Sequence, residues 1–411
     1  MRIAIVTKVL IGGFEVHHAG LKGGLIGGAE VYLLTLIKEV LEKFASEIVV
    51  YQTKGISKQL SDKTAVITVK SVNELDLNRF DLVIVNGMQQ TIASEIEQLR
   101  TKSIGIHHGM LLPPPLNFDT IRTHYEYAEL FGITNSKVYH LVGHLSGNFV
   151  NLSLKFLRVL QCEHIFEQQR TYLLNILKEN SAKVDCVVSV DSDSLRYVDL
   201  ERRRSWKVIR NFVDLRLIKP HIPRRKSFQG ITVLVPRNLV LARGVHIVPK
   251  LACLLKKDGY RNFRFAIAGM GPLRQYLENE TSRLNLEKEV VLLGHQDHFK
   301  DMAHLYADSD IVLVPSLASE GTSLAVLEGM ASKRPVVTTD VGGITEIGFN
   351  GRQKLSSSFS AEKIARNIAL LLDDKNLMNK IAEEGYQYVC HKHTVDLWRE
   401  KWTNTIKEFM M

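Results

Sequence analysis

The feature that most restricts this chain's fold is a rhythm that runs twice. Short apolar runs rich in Val and Ile alternate with longer helical patterns: RIAIVT (2–7), EIVVYQT (47–53), DLVIVNG (81–87), SIGIHH (103–108) and CVVSVD (186–191). The alternation restarts with ITVLVP (231–236), RFAIAG (264–269), VVLLG (290–294), DIVLVPS (310–316) and PVVTTD (335–340). Strands that are apolar on both faces and separated by helices imply parallel sheets with crossover helices. Two such series predict an α/β chain of two Rossmann-like, doubly wound sheets, and 411 residues are enough for two cores. Ligands of such sheets sit beyond the carboxyl ends of the strands, so two facing sheets share one cleft.

The boundary falls in the stretch 214–230, where Pro220, Pro223 and Arg224, Arg225, Lys226 have linker composition. The expected organisation is a first Rossmann-like domain over 1–218, a second over 219–390, and a terminal helix over 391–411 that packs back toward the first domain. Residues 111–180 leave the rhythm, opening on Pro113, Pro114 and Pro115 and continuing as a helical elaboration. Its leucines suit a core. Lys155 and Arg158 would also suit a helix lying on a membrane surface.

Composition narrows the classes. With 45% hydrophobic and 24% charged residues, the chain is globular, neither disordered nor collagen-like. Cys162, Cys186, Cys253 and Cys390 show neither CxxC spacing nor a Cys/His metal pattern, which points to reduced thiols in a cytoplasmic protein. The amino-terminal apolar run is too short for a signal-peptide core or a membrane span, and no later run reaches membrane-spanning length. Net charge is +9, and between Glu201 and Lys226 ten Lys or Arg face only two acids, Glu201 and Asp214. Such a run is a solvated face or a patch for anionic headgroups on the inner face of a membrane. No groove-reading motif accompanies it, so nucleic acid is not an expected partner.

The densest stretch of chemistry follows the strand ending at Ser316. Glu320 and Glu328 stand eight residues apart, a little over two helical turns, and so share roughly one side of a helix. Gly321, Thr322, Ser323 and Leu324 offer backbone amides at the start of that helix, where its dipole favours a phosphate. Carboxylates on either side could accept hydrogen bonds from vicinal hydroxyls. Taken as spacing alone, the pair also fits two exposed helix glutamates.

The stretch EGTSLAVLEGMASKRPVVTTDVGGITEI (320–347) resembles the signature of the family 4 retaining glycosyltransferases of the GT-B fold. The resemblance implies transfer of a sugar from a nucleotide-diphosphate donor to an acceptor hydroxyl with retention of configuration. It places Glu320 on the transferred sugar and Glu328 on the ribose, although Thr322 and Ser323 stand where the family often has Phe and Gly. The family's donor-site cations correspond to Arg237 and Arg243 in VPRNLVLARGVHI, with Arg243 replacing a lysine before Gly244. Gly27 and Gly28, in a GGAE resembling that of many members, open the first domain's helix toward the diphosphate or acceptor. Of the two histidines ending SIGIHH, His108 precedes the glycine and is the preferred residue facing the sugar, with His107 the alternative.

Weaker signals bound the reading. Gly269, in AGMGPLR, closes a strand on the donor side, yet that loop lacks the third glycine of a dinucleotide fingerprint. Asp191 and Asp193 imitate a metal-binding Asp-x-Asp but close the last strand of the first series, so no metal and no cofactor beyond the donor substrate is expected. RNFVDL (210–215) resembles the family's domain-junction segment and reads as a structural turn. The acceptor stays open among a glycan, a lipid-linked glycan and a small molecule. Two rival classes share the architecture: a nucleotide-sugar epimerase, and a non-catalytic nucleotide-sugar or glycan-binding subunit.

Overall fold

The computed structural model describes residues 1–8, 10, 28–88, 93, 96, 99–109, 171–172, 174–193, 206–220, 228–298, 300–318 and 320–411. Gly27, Lys155, Arg158 and most of the 111–180 elaboration lie outside them. Two parallel sheets form. The first holds β1 (Arg2–Thr7), β2 (Glu47–Gln52), β3 (Lys58–Gln59), β4 (Thr64–Thr68), β5 (Leu82–Asn86), β6 (Lys102–His107), β7 (Cys186–Ser189) and β8 (Trp206–Val208), in the order β3-β4-β2-β1-β5-β6-β7-β8. Only β3 runs antiparallel. The second sheet holds β9 (Ile231–Pro236), β10 (Phe263–Ala268), β11 (Val290–Gly294), β12 (Ile311–Val314), β13 (Val336–Thr339) and β14 (Leu355–Ser357), in the order β11-β10-β9-β12-β13-β14.

Both sheets are covered on both faces, which is why their strands read as continuous apolar runs. Along β1, Ile3 and Ile5 enter one core and Ala4 and Val6 the other, as the two-residue period of a strand requires. Along β9, Val233 and Val235 face one core while Leu234 faces the opposite one. In each sheet the strand order reverses at the first strand: β1 lies between β2 and β5, and β9 between β10 and β12. Loops leaving a reversal point diverge to opposite faces and open a crevice, so the segments after β1, β5, β9 and β12 are where a ligand fits.

The helices that matter here are α1 (Gly28–Leu36), α2 (Val248–Lys257), α3 (Arg274–Arg283), α4 (Met302–Asp308), α5 (Leu324–Ala331), α6 (Ala361–Asp373), α7 (Lys375–Lys392) and α8 (Val395–Met410). Ser360 caps α6 by accepting from Lys363 N, and Asp374 caps α7 by accepting from Asn376 N and Leu377 N. Helix α8 returns to the first sheet. Its Trp398 and Trp402 are buried in the same core as Ile3, Ile5 and Tyr32, and Trp402 Nε1 donates to the Tyr32 hydroxyl at 2.7 Å. Arg399 reaches Glu39, and Lys102 Nζ donates to the Phe409 carbonyl, so both ends of α8 are fixed to the first domain. Among the described residues, no helix is long and apolar enough to cross a membrane.

Candidate active site

Arg237 follows directly on β9 and is 7% exposed. Its NH2 donates to Ser316 Oγ at 2.5 Å and to Glu320 Oε1 at 2.6 Å, while Ser316 Oγ also lies 2.5 Å from that oxygen. Arg243 approaches from the other side and pairs with Glu320 Oε2. Burial works to raise the Glu320 carboxyl, but the two guanidinium charges, together with the hydrogen bonds from Ser316 and Arg237, outweigh it and hold the group below its ordinary value. For Arg237 burial dominates and draws the guanidinium down to about 10, against the opposing pull of Glu320.

Two cations on one carboxylate leave the cluster with a positive excess. It also has unspent donors: Arg237 Nε and Ser323 Oγ are buried with no hydrogen-bond partner among the described residues. A buried donor without an acceptor costs free energy that an anion would recover. Local backbone geometry sets the cluster. Gly244 has φ 70° and lies so close to β12's exit that a Cβ there would stand 1.7 Å from the Pro315 carbonyl oxygen. That approach carries the preceding Arg243 toward Glu320. Gly269 is likewise pressed against the Arg237 carbonyl, where a Cβ would stand at 2.1 Å.

Glu328 lies on α5, 6% exposed. Its Oε2 accepts from the Tyr306 hydroxyl at 2.7 Å and its Oε1 stands 3.7 Å from His298 Nδ1. Burial raises its carboxyl above the usual range, against His298 and the Tyr306 hydrogen bond. One oxygen is thus engaged from beneath and the other is offered on the His298 side.

The first domain supplies the opposite wall. His108 Nε2 meets Asn86 Oδ1 at 2.7 Å, and Asn86 Nδ2 donates to Thr7 Oγ1, so Asn86 presents its carbonyl to the ring. The ring proton therefore sits on Nε2, and Nδ1 is an acceptor. Tyr32 packs edge-on against His108 with centroids 5.1 Å apart, and burial lowers the imidazole to about 4. His107 is fully buried and lowered to about 3, first by burial and then by His108. Of the adjacent pair, His108 is the partly exposed ring.

The two walls touch. Gly109 has φ 84°, and a Cβ on it would stand 2.4 Å from Gly321 N; one on Gly321 would stand 2.7 Å from the His108 carbonyl oxygen. A Cβ on Gly28 would come within 3.3 Å of Leu324 Cδ1, so α1 meets the amino terminus of α5 across the cleft. Thr322 turns toward the first domain: its hydroxyl donates to the Val190 carbonyl, and its own carbonyl accepts from Asn211 Nδ2. The structure therefore gathers Arg237, Arg243, Glu320, Gly321, Thr322, Ser323, Leu324, Gly28 and His108 about one cleft, with Glu328 further along α5. Sequence reasoning missed Ser316, Tyr306, His298, Asn86 and Asn211's grip on Thr322. Asp191 is buried at the end of β7 beside Gly321 and Gly343. Among the described residues no group of three or more His, Cys, Asp or Glu is arranged to hold a metal.

Two doubly wound parallel sheets closing on a single cleft, with an anion-seeking cluster at the second sheet's reversal point, define the GT-B class of fold. Residues 223–388 match the family model described as glycosyl transferases group 1, so the resemblance read from residues 320–347 holds at that level. An uncharacterized glycosyltransferase, MJ1178 of Methanocaldococcus jannaschii, is 32% identical over 130 residues, 31% of this chain and 36% of that protein. Alpha-D-kanosaminyltransferase of Streptomyces kanamyceticus is 27% identical over 205 residues, 50% of this chain and 49% of that one. The chain thus spans about a third to a half of the length of these relatives. Among solved structures, Anabaena Alr3699/HepE in complex with UDP aligns over 99% of this chain and 100% of its own with a TM-score of 0.67 at 17% identity, a likeness of fold.

Proposed function

We propose that this protein is a retaining glycosyltransferase that moves a sugar from a nucleoside diphosphate donor to an acceptor hydroxyl. The observation that carries the reading is the buried Arg237–Glu320–Arg243 cluster, cationic in balance and holding spare donors, at the strand reversal of one domain and facing the other. As the bond from sugar to diphosphate breaks, negative charge grows on the leaving group. Arg237, Arg243 and the amides opening α5 are already in place to receive it, so little reorganisation is needed. These groups can carry the charge with no resident metal.

Glu320 is suited to orienting sugar hydroxyls. A carboxylate clamped by two guanidiniums is a weak base and a poor nucleophile, which agrees with attack by the acceptor on the face the diphosphate leaves. Glu328 would hold the ribose through Oε1. His108, neutral with Nδ1 bare, can accept a hydrogen bond from a sugar hydroxyl but has no proton to give on that side. The names of the relatives support sugar transfer, and HepE has also been solved in complex with UDP-glucose. A glycan or lipid-linked acceptor at the cytoplasmic face of a membrane suits the basic segment 201–226.

The first test is a thermal-shift titration with UDP, GDP, ADP and NAD, because a ligand that binds only the folded state raises Tm. Stabilisation by one nucleoside diphosphate, lost in Glu328→Ala, supports the assignment and selects the donor base for an acceptor screen. A response to NAD alone overturns it. Conversion of a nucleotide sugar into an isomer with no acceptor present would instead establish the epimerase class.

A further inference from the structure

Between β13 and β14 the chain makes a 3-10 turn, Gly342–Glu346, whose last residue reaches across the cleft. Glu346 Oε1 accepts from Ser192 N and Ser192 Oγ, both at 2.8 Å, and from Asp193 N at 3.0 Å. Glu346 Oε2 takes the Arg210 guanidinium, with Nε at 2.8 Å and NH2 at 2.7 Å. Ser192 and Asp193 follow the end of β7, and Arg210 lies just beyond β8, so every one of these partners belongs to the first domain. The carboxylate is 13% exposed and its hydrogen bonds are charge-assisted, the strong kind.

The turn is tied to the second domain at two further points. Gly343 N donates to the Glu320 carbonyl at 2.7 Å. The buried amine of Lys354, a residue 2% exposed, donates to the Ile344 carbonyl at 2.6 Å from beneath. Beside Arg210, Asn211 grips the Thr322 carbonyl, one residue from Gly321. A displacement at Glu346 is therefore felt at the Glu320–Thr322 loop. Contacts that bridge two domains stabilise neither one by itself; they exist at one separation of the walls.

We propose that Glu346 is a positioning residue: its carboxylate latches onto Ser192, Asp193 and Arg210 and so fixes the separation between the His108–Gly109 wall and the Glu320–Gly321 loop at which sugar transfer takes place. The activity part of this claim rests on the function proposed above; the latch itself does not.

The test uses the whole chain as Glu346→Ala, Arg210→Ala, the double variant and Glu346→Asp, with three readouts: small-angle X-ray scattering with and without UDP, UDP affinity by calorimetry, and sugar-transfer kinetics. Glu346→Ala is expected to bind UDP within about twofold of wild type, to show a larger radius of gyration, and to lose turnover by about tenfold or more. Arg210→Ala should shift the same way, the double variant should be less than additive because both changes open one latch, and Glu346→Asp should recover part of the loss. A scattering curve unchanged in Glu346→Ala, or UDP affinity falling in step with turnover, overturns the proposal. Should Glu346→Ala fail to fold, Arg210→Ala, at a more exposed position, decides between the same outcomes. A wild-type chain that transfers no sugar would sink the functional reading, and scattering alone would then decide the latch.

Discussion

Arg237 and Glu320 meet at 2.6 Å with side chains only 7% and 8% exposed, so neither charge has bulk water to fall back on. Truncating one partner of a buried pair strands the other, typically at about 3–5 kcal/mol. Glu320→Ala should therefore lose stability on that scale in urea unfolding, although Arg243 is also released. Wild-type stability in Glu320→Ala would show that the guanidinium finds another acceptor and that the cluster is less closed than its geometry indicates.

Gly244 is the backbone device behind Arg243. With φ 70° and the Pro315 oxygen 1.7 Å from where a Cβ would stand, Gly244→Ala must push β12's exit away or twist the turn. A rigid backbone atom cannot yield as a side chain does, so a loss of about 2–4 kcal/mol is expected, on the scale of overpacking added to strain. Nucleotide-dependent stabilisation should weaken further than the stability loss accounts for, because Arg243 is displaced from Glu320. Differential scanning fluorimetry with and without UDP separates the two effects; an Ala variant indistinguishable from wild type would refute both.

Tyr306→Phe removes one hydroxyl and leaves Glu328 Oε2 buried without its donor. An unsatisfied buried acceptor costs about 1–3 kcal/mol, and the freed carboxylate can rotate away from a ribose. Affinity for the stabilising nucleoside diphosphate should fall by about five- to tenfold in calorimetry, since about 1.4 kcal/mol is a factor of ten. Unchanged affinity would remove Tyr306 from the orientation of Glu328.

Buried histidines make the fold sensitive to acid. His107, His108 and His246 are lowered from 6.5 to about 3, about 4 and about 4, in each case chiefly by burial. A group lowered in the folded state contributes stability that is present above 6.5 and is lost as pH falls through that window toward the folded value. For His108 alone the loss amounts to about 3 kcal/mol. Glu328, raised by burial, acts in the opposite sense and offsets part of the loss as pH falls toward its ordinary value. Tm should fall steeply from pH 6.5 to 4, and His246→Leu should flatten the profile; a Tm level over that range would contradict the burial of these rings.

The doubly wound architecture was legible because a strand buried on both faces must be an apolar run, as in β1 (RIAIVT) and β9 (ITVLVP). Strands β3, β8 and β14 gave no such signal. They are short edge strands, half-exposed in Trp206–Val208, and β8 sits in a segment dominated by its Lys and Arg. β4, Thr64–Thr68, alternates between buried and more open positions and lacks a continuous run. In the site, Glu320 and Glu328 were legible through a local motif. Tyr306 was not, because its hydroxyl reaches Glu328 only through the packing of α4 against α5, and nothing in HLYADSD marks it. Glu346 lay inside the quoted signature, but its partners Ser192, Asp193 and Arg210 are more than a hundred residues away and carry no common pattern.

Trp402 completes a core begun by Ile3 and Tyr32, and in chain order it comes about 190 residues after the last strand of the sheet it covers. During synthesis that face therefore leaves the ribosome long before its lid, and at about 5–20 residues per second it waits roughly 10–40 s. Over that interval the entire second sheet is made. The first domain can finish maturing only after its neighbour has emerged, so an early translational stop would strand an apolar surface for chaperones to hold.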